Sequence, residues 1–124
     1  MNQTKYFTPA EANKMLPLVR KIVTDILRTG QKIRALSSKL EKPEEDPEVN
    51  GWMDLLDELF DELESLGCSY RDWNFSEGLV DFPAMIRGRQ AFLCWKSDED
   101  EVLFYHDLES GFAGRLPIPG ELLR

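Results

Sequence analysis

Two long stretches of helical apolar periodicity in the first half of the chain constrain its fold most. Apolar residues recur mostly every three or four positions in residues 12–40, and the same spacing returns in residues 49–66. This spacing gives each helix one apolar side. Residues 41–51 hold two prolines, a run of acids and an Asn-Gly pair, which predicts a loop. Together these segments predict an antiparallel helical hairpin over residues 8–67.

Local signals mark the ends of both helices. Thr8 and Glu11 have the spacing of a capping box, in which each side chain accepts a hydrogen bond from the backbone of the other residue. Pro17 removes a backbone donor and predicts a kink or a short break near that position. We expect the second helix at about residues 49–66, with Gly67 as the left-handed residue that ends it.

The second half of the chain has the residue pattern of β-strands. Segments rich in β-branched and aromatic residues predict a small antiparallel sheet of three to four strands, at residues 68–73, 79–82, 90–96 and 101–106. The last two segments are apolar on both faces, so both faces should be covered. The helices can cover one face, and the C-terminal tail or a second subunit can cover the other. The sequence thus predicts one α+β domain over residues 1–124, with the sheet and an irregular tail in residues 68–124.

The register of the last two strands decides which side chains meet. If residues 97–100 form a tight four-residue loop, Leu93 lies opposite Phe104 and Ala91 opposite His106. Cys94 and His106 then point to opposite faces of the sheet. This argues against a cysteine nucleophile activated by a histidine and favours Cys94 as a core residue.

Charge is divided between the two helices. Residues 1–42 carry nine Lys or Arg and three acids, residues 43–67 carry ten acids and no base, and the whole chain has a net charge of −8. Two interpretations are open. Neighbouring helices attract within one subunit, or the acidic helix of one subunit meets the basic helix of another and closes a four-helix homodimer. The acidic balance argues against nucleic acid and anionic membranes as partners.

The inventory of reactive residues is small. A single histidine excludes a two-histidine zinc site, and the acids of the second helix lack the Glu–His spacing of di-iron bundles. No phosphate loop, dinucleotide fingerprint or nucleophile elbow occurs. We therefore predict no metal site and no cofactor. The N-terminal residues do not have the pattern of an export signal, so Cys68 and Cys94 are expected as free thiols in the cytoplasm.

Five residues in the second half could still form a site: Asp81, Arg87, Arg89, His106 and Arg115. Asp81 interrupts an apolar run, His106 ends a predicted strand, and Arg115 follows a glycine-flanked turn. Arginines beside such a turn can bind a carboxylate or a phosphate, and an aspartate can orient a histidine as a base. The alternative is structural, with Asp81 paired to Arg89 or Arg115 so that the tail is fixed to the sheet.

The chain also resembles a known family. The residues that carry the resemblance are Phe7-Thr8, Glu11-Ala12-Asn13, Leu16-Pro17, Gly78-Leu79-Val80-Asp81-Phe82-Pro83, Leu93-Cys94-Trp95, His106 and Gly111-Phe112-Ala113-Gly114-Arg115. Over nearly the whole chain this pattern is similar to the bacterial domain-of-unknown-function family numbered 2203. That family tends to have Trp before the histidine, where this chain has Tyr105. The resemblance implies a bacterial protein of this size and supplies no activity or catalytic residue.

Two functions follow as hypotheses. The first is a non-enzymatic interaction or regulatory module that acts as a homodimer on a protein partner. The second is a small anionic-ligand binder or enzyme with a site built from Asp81, His106, Arg89 and Arg115. An open cleft lined by His106 and two arginines would favour the second, whereas burial and mutual pairing of these residues would count against it.

Overall fold

The computed structural model describes residues 4–123, which form two helices followed by a five-stranded antiparallel sheet. The helices are α1, Pro9–Ser37, and α2, Pro47–Ser65. The strands are β1, Ser69–Tyr70; β2, Leu79–Ile86; β3, Arg89–Lys96; β4, Phe104–His106; and β5, Leu116–Pro117. They lie in the sheet in chain order. The predicted α+β class is confirmed, and the sheet has five strands where the sequence predicted three to four.

The first helix begins where the capping box predicts. The Thr8 hydroxyl accepts from the Glu11 N–H at 3.1 Å, and the Glu11 carboxylate accepts from the Thr8 N–H at 2.9 Å. Pro17 lies on the exposed side of α1, and the helix continues through it to Ser37. The predicted break is therefore wrong, because one missing backbone hydrogen bond does not outweigh the packing of the apolar side. A kink at Pro17 stays a prediction.

The second helix begins two residues earlier than predicted. Asp46 caps it by accepting from the Val49 N–H at 3.0 Å, and Pro47 occupies the first helical position. Gly67 adopts the predicted left-handed conformation after the helix, with φ of 96°. α1 and α2 pack against each other and against one face of the sheet. The buried core residues include Ala12, Leu16, Val19, Ile26, Leu59, Leu63, Val80, Phe82, Leu93 and Trp95.

The second strand is longer than predicted because it continues through Pro83. The Pro83 carbonyl points away from β3 and accepts from the Phe7 N–H at 2.7 Å. The Pro83 nitrogen also lies on the side away from β3, beyond the point where β1 ends. The missing N–H of this proline therefore removes no hydrogen bond between β2 and β3. Arg87 and Gly88, both with positive φ, form the two-residue turn into β3.

The predicted register between β3 and β4 is wrong by one residue. Phe92 lies opposite His106, and Cys94 lies opposite Phe104. Because a slip of one residue moves each side chain of a strand to the other face, Cys94 and His106 share a face.

A distant helix residue holds the connection between these two strands. Residues 97–103 make the connection, instead of the predicted four-residue loop. The Asn13 amide oxygen accepts from the Val102 N–H at 2.6 Å, and its nitrogen donates to the Val102 carbonyl at 3.2 Å. This pairing places Val102 in the core, so α1 and the sheet together fix the length of the connection.

The sheet has an inner face against the helices and an outer face. Alternate residues of β2 and β3, such as Phe82 and Leu93, pack on the helices. Asp81 and Cys94 point to the outer face, where residues 108–112 of the same chain contribute to the covering. Of the two coverings predicted for this face, the C-terminal tail and a second subunit, the described chain supplies the tail. None of the described helices combines the length and the apolar character needed to cross a membrane.

Candidate functional site

Three strands bring Asp81, Cys94 and His106 together on the outer face. Asp81 on β2 lies directly opposite Cys94 on β3, and His106 follows at the end of β4. One carboxylate oxygen, the Cys94 sulfur and one ring nitrogen of His106 all lie within 4.8 Å of one another. All three residues are buried, with at most 6% of their surface exposed. This cluster forms the floor of the candidate site.

Hydrogen bonding fixes the tautomer of His106. Its Nδ1 lies 2.7 Å from the Asp107 carbonyl oxygen. A carbonyl oxygen can only accept, so Nδ1 carries a proton. Nε2 faces the other way and lies 3.1 Å from Oδ1 of Asp81.

Asp81 lies between His106 and an arginine that the sequence analysis did not single out. Nε of Arg71 is 3.3 Å from Oδ2 of Asp81, and the Arg71 guanidinium lies over the Phe92 ring at 5.6 Å. The Arg71 side chain remains 48% exposed. Ser69 of β1 pairs with Asp81 of β2. Arg71 follows Ser69 by two residues, and this brings its side chain beside Asp81.

The electrostatics of the floor keep Cys94 protonated. Burial raises the pKa of the Cys94 thiol to about 12, and the neighbouring Asp81 carboxylate acts in the same direction. The thiol is therefore a poor nucleophile at neutral pH, although it shares a face with a histidine. Cys68, on the helix side of the fold, is likewise buried, and its pKa is also raised to about 12. Both cysteines are free thiols, as the sequence predicted.

A cleft of about 350 Å³ opens above this floor. Its walls combine apolar side chains with a few charged ones, and the exposed Arg71 and Glu109 are the charged residues away from the floor. The residues that line it are Arg71, Leu79, Asp81, Phe92, Cys94, His106, Leu108, Glu109, Gly111 and Phe112. Its surface is polar and apolar in nearly equal parts, and the convergence of its polar groups on the floor is a feature of small-molecule sites.

Arg115 has a different role from the one predicted. Its Nη2 donates to Oε1 of Glu99 at 2.8 Å and to the Cys94 carbonyl at 3.0 Å, and its guanidinium lies over the Phe104 and Phe112 rings. It fixes the tail on the sheet, but through Glu99 instead of Asp81. Arg115 does not line the cleft.

The two remaining candidates lie elsewhere. Arg87 is at the turn between β2 and β3, where it forms an exposed ion pair with Glu121. Arg89 lines a separate depression beside Arg87. The predicted pairing of Asp81 with Arg89 or Arg115 is therefore wrong, since His106 and Arg71 occupy both carboxylate oxygens.

Comparison with known proteins finds a match to a family model described as an uncharacterized conserved protein, DUF2203, over residues 5–118. The chain belongs to the DUF2203 family. This confirms the resemblance seen in the sequence. No curated protein and no solved structure matches this DUF2203 chain.

Three important residues of this DUF2203 protein were missed or misjudged from the sequence. Arg71 was missed because its place beside Asp81 follows only from the pairing of Ser69 with Asp81, which the sequence did not predict. Cys94 is buried, as predicted, but the wrong register hid its position beside Asp81 and His106. Asp72 accepts from the N–H groups of four residues in the following loop, and its signal was the clustered turn residues after it. The four donors are those of Asn74, Ser76, Glu77 and Gly78.

Proposed function

We propose that this protein binds a small anionic organic molecule in the cleft on the outer face of its sheet. The predicted criterion for such a site is not met, since Arg89 and Arg115 do not line the cleft and His106 is buried against Asp81. The observation that carries the proposal is instead that the Asp81–His106 pair opens into a cleft with the half-exposed Arg71 beside it. A cleft with a few convergent polar groups is the usual form of a small-molecule binding site.

Arg71 supplies the charge that would recognise an anion. Its Nε faces Asp81, and 48% of the side chain remains exposed, so the guanidinium is still accessible to a ligand. A guanidinium held by one carboxylate keeps its planar edge fixed, and that edge suits a carboxylate or phosphate group. The Phe92 ring beneath it further restricts its position.

The walls favour a ligand with an apolar part. Leu79, Phe92, Leu108 and Phe112 contribute the apolar surface, and a volume of about 350 Å³ suits a small organic acid. Glu109 also lines the cleft and would repel an anion placed beside it. The anionic group of the ligand therefore belongs near Arg71. Free thiols fit the cytoplasmic location that we propose for this binding.

Thermal unfolding tests the proposal. A panel of small mono- and dicarboxylates and phosphate monoesters, each with a neutral amide or alcohol analogue, is scanned for an increase in melting temperature. We expect one anionic class to raise the melting temperature of the wild type, because a ligand that binds only the folded state stabilises it. Arg71→Met should lose this effect. Arg87→Met, which removes an exposed arginine away from the cleft, should keep it.

Two results of this experiment would reject the proposed binding site. If no anion raises the melting temperature of the folded wild type, or if Arg87→Met loses the effect as fully as Arg71→Met, the cleft is not the binding site.

A second function, the homodimeric interaction module, is favoured by the charges of the two helices. Among residues 4–123, no ion pair joins a base of α1 to an acid of α2. Arg20 and Arg34 donate to backbone carbonyls of the sheet half of the chain instead. The exposed acidic side of α2 is thus available to the basic side of α1 in another copy.

Sedimentation measurements test this second function. The sedimentation velocity of the wild type at low and high salt should show a dimer that dissociates as salt rises. A monomer at high protein concentration and low salt would contradict it.

A further inference from the structure

The geometry points to a metal site at the floor of the cleft, in which Asp81, Cys94 and His106 bind one divalent transition-metal ion of the zinc class. Carboxylate, thiolate and imidazole are three of the ligand groups that zinc uses in proteins. Three protein ligands would leave one position of a tetrahedral ion open toward the cleft. The ion itself needs no organic ligand. Only the idea that an anion takes its fourth position rests on the proposed function.

The spacing of the three donor atoms fits a single ion. In a tetrahedral site with bonds of about 2.0–2.3 Å, neighbouring ligand atoms lie roughly 3.3–3.8 Å apart. Nε2 of His106 and Oδ1 of Asp81 are 3.1 Å apart, and the sulfur of Cys94 lies within 4.8 Å of a ring nitrogen of His106 and of a carboxylate oxygen of Asp81. Movements on the order of 1 Å would bring all three to one ion.

The tautomer of His106 gives an independent argument. Nδ1 donates to the Asp107 carbonyl, so a neutral ring presents the lone pair of Nε2 to Asp81. A lone pair and a carboxylate oxygen at 3.1 Å repel each other unless a cation, either a proton or a metal ion, lies between or beside them. Histidines that bind metal ions commonly donate their other N–H to a backbone carbonyl in this way. Arg71 likewise orients the other ligand, since its Nε lies beside Oδ2 of Asp81 and leaves Oδ1 for the ion.

The charges of the cleft favour binding of the ion, and the ion in turn favours binding of an anion. Without an ion, the cleft is lined by two acids, Asp81 and Glu109, against one arginine. A divalent ion balances the Asp81 carboxylate and a Cys94 thiolate, since metal binding removes the thiol proton. Arg71 and Glu109 then offset each other, so the ion removes the net negative charge of the cleft and an anion can bind beside Arg71.

Cobalt absorption tests the metal site directly. Co²⁺ is added stepwise to the full chain after treatment with a chelator. We expect one equivalent to produce a thiolate-to-cobalt charge-transfer band and the strong visible bands of four-coordinate cobalt, and one equivalent of Zn²⁺ to remove them. Cys94→Ser should lose the charge-transfer band. Cys68→Ser, which changes the other buried thiol, should keep it.

Several results would overturn the proposal. One is a folded wild type that shows no charge-transfer band with excess Co²⁺, and another is a band that survives in Cys94→Ser but not in Cys68→Ser. If Cys94→Ser does not fold by circular dichroism, X-ray absorption at the zinc edge of the wild type decides. One sulfur and one imidazole neighbour support the site, whereas only oxygen neighbours reject it.

The two proposals fail separately. A cobalt spectrum with no response to any anion, in absorption or in melting temperature, keeps the metal site and rejects the anion. A rise in melting temperature with an anion, in a chain that gives no cobalt spectrum, keeps the anion and rejects the metal site.

Discussion

Nε2 of His106 lies 3.1 Å from Oδ1 of Asp81, although the two residues belong to strands that are not neighbours in the sheet. β3 runs between them, and Cys94 of β3 lies directly opposite Asp81. The contact therefore crosses a whole strand on the outer face. It places a charged residue and the only histidine of the chain at the bottom of a cleft, and most of the account depends on it.

Loss of the Asp81 carboxylate should destabilise the fold strongly. Removal of the Asp81 carboxylate leaves the buried Nε2 of His106 without its partner, which typically costs about 1–3 kcal/mol. We expect Asp81→Ala to lower the free energy of unfolding by this amount in urea. Asp98→Ala removes an exposed carboxylate 3.4 Å from Lys96 and should cost roughly 0–1 kcal/mol. Equal costs for the two variants would contradict the buried pairing.

Asp72 should make stability depend on acid pH. Burial alone would raise the pKa of Asp72, but backbone N–H donors outweigh burial and hold the pKa below its ordinary value. A carboxyl group with a lower pKa in the folded state adds stability above its unfolded pKa and loses it as pH falls through the folded pKa.

Urea unfolding of Asp72→Asn at several pH values measures this effect. At pH 7 we expect the variant to be less stable by about 1–3 kcal/mol, since four backbone donors lose a charged acceptor. The difference from the wild type should shrink as pH falls below about 4. A difference that stays constant down to pH 2 would show that the charge of Asp72 is not involved.

Two helical glycines should respond in opposite ways to alanine. A Cβ at Gly30 of α1 would overlap the Phe75 ring, whereas a Cβ at Gly51 of α2 would meet nothing within 4 Å. Gly51→Ala should stabilise the protein by up to about 1 kcal/mol through helix propensity. Gly30→Ala should destabilise it by about 1–3 kcal/mol through overpacking. Thermal unfolding of both variants checks the close contact of Phe75 with α1, and stabilisation of both would contradict it.

The two thiols should be unreactive until the protein unfolds. Both are buried, and their raised pKa values keep them protonated at pH 8. An aromatic disulfide reagent should label neither Cys68 nor Cys94 of the native protein at the rate of a free cysteine, and should label both in denaturant. Fast labelling of one thiol in the native protein would mean that its surroundings are open.

Local signals in the sequence predicted the helices and missed the site. Thr8 and Glu11 form the capping box that their spacing indicates, and Gly67 ends the second helix as expected. These features depend on residues a few positions apart. The class of the fold and the texture of the second half follow from the same short-range periodicity.

The register of β4 depends on Asn13, which lies 89 positions before Val102 in the chain. No short-range pattern contains that contact, so the predicted register slipped by one residue. The slip separated Cys94 from His106 and hid the cluster with Asp81. Arg71 was missed for a similar reason, since its place beside Asp81 depends on the pairing of a two-residue strand.

Glu109 offers a test of the position of the bound anion. It lines the cleft and should repel an anionic ligand, so Glu109→Gln should strengthen binding by a factor of roughly two to five. Isothermal titration at low salt measures this change. Glu121→Gln, at the exposed ion pair with Arg87, is the control and should leave the affinity unchanged. Weaker binding by Glu109→Gln would place the anion elsewhere.

We propose the cleft above Asp81 and His106 as the binding site of this protein. The most direct test is a titration of the ¹⁵N-labelled protein with the anion that raises its melting temperature most, followed by two-dimensional amide spectra. We expect the largest, saturable shifts at the residues of the cleft: Arg71, Asp81, Cys94, His106 and Glu109. Shifts confined to Arg87, Arg89 and their neighbours, or no saturable shifts, would contradict it.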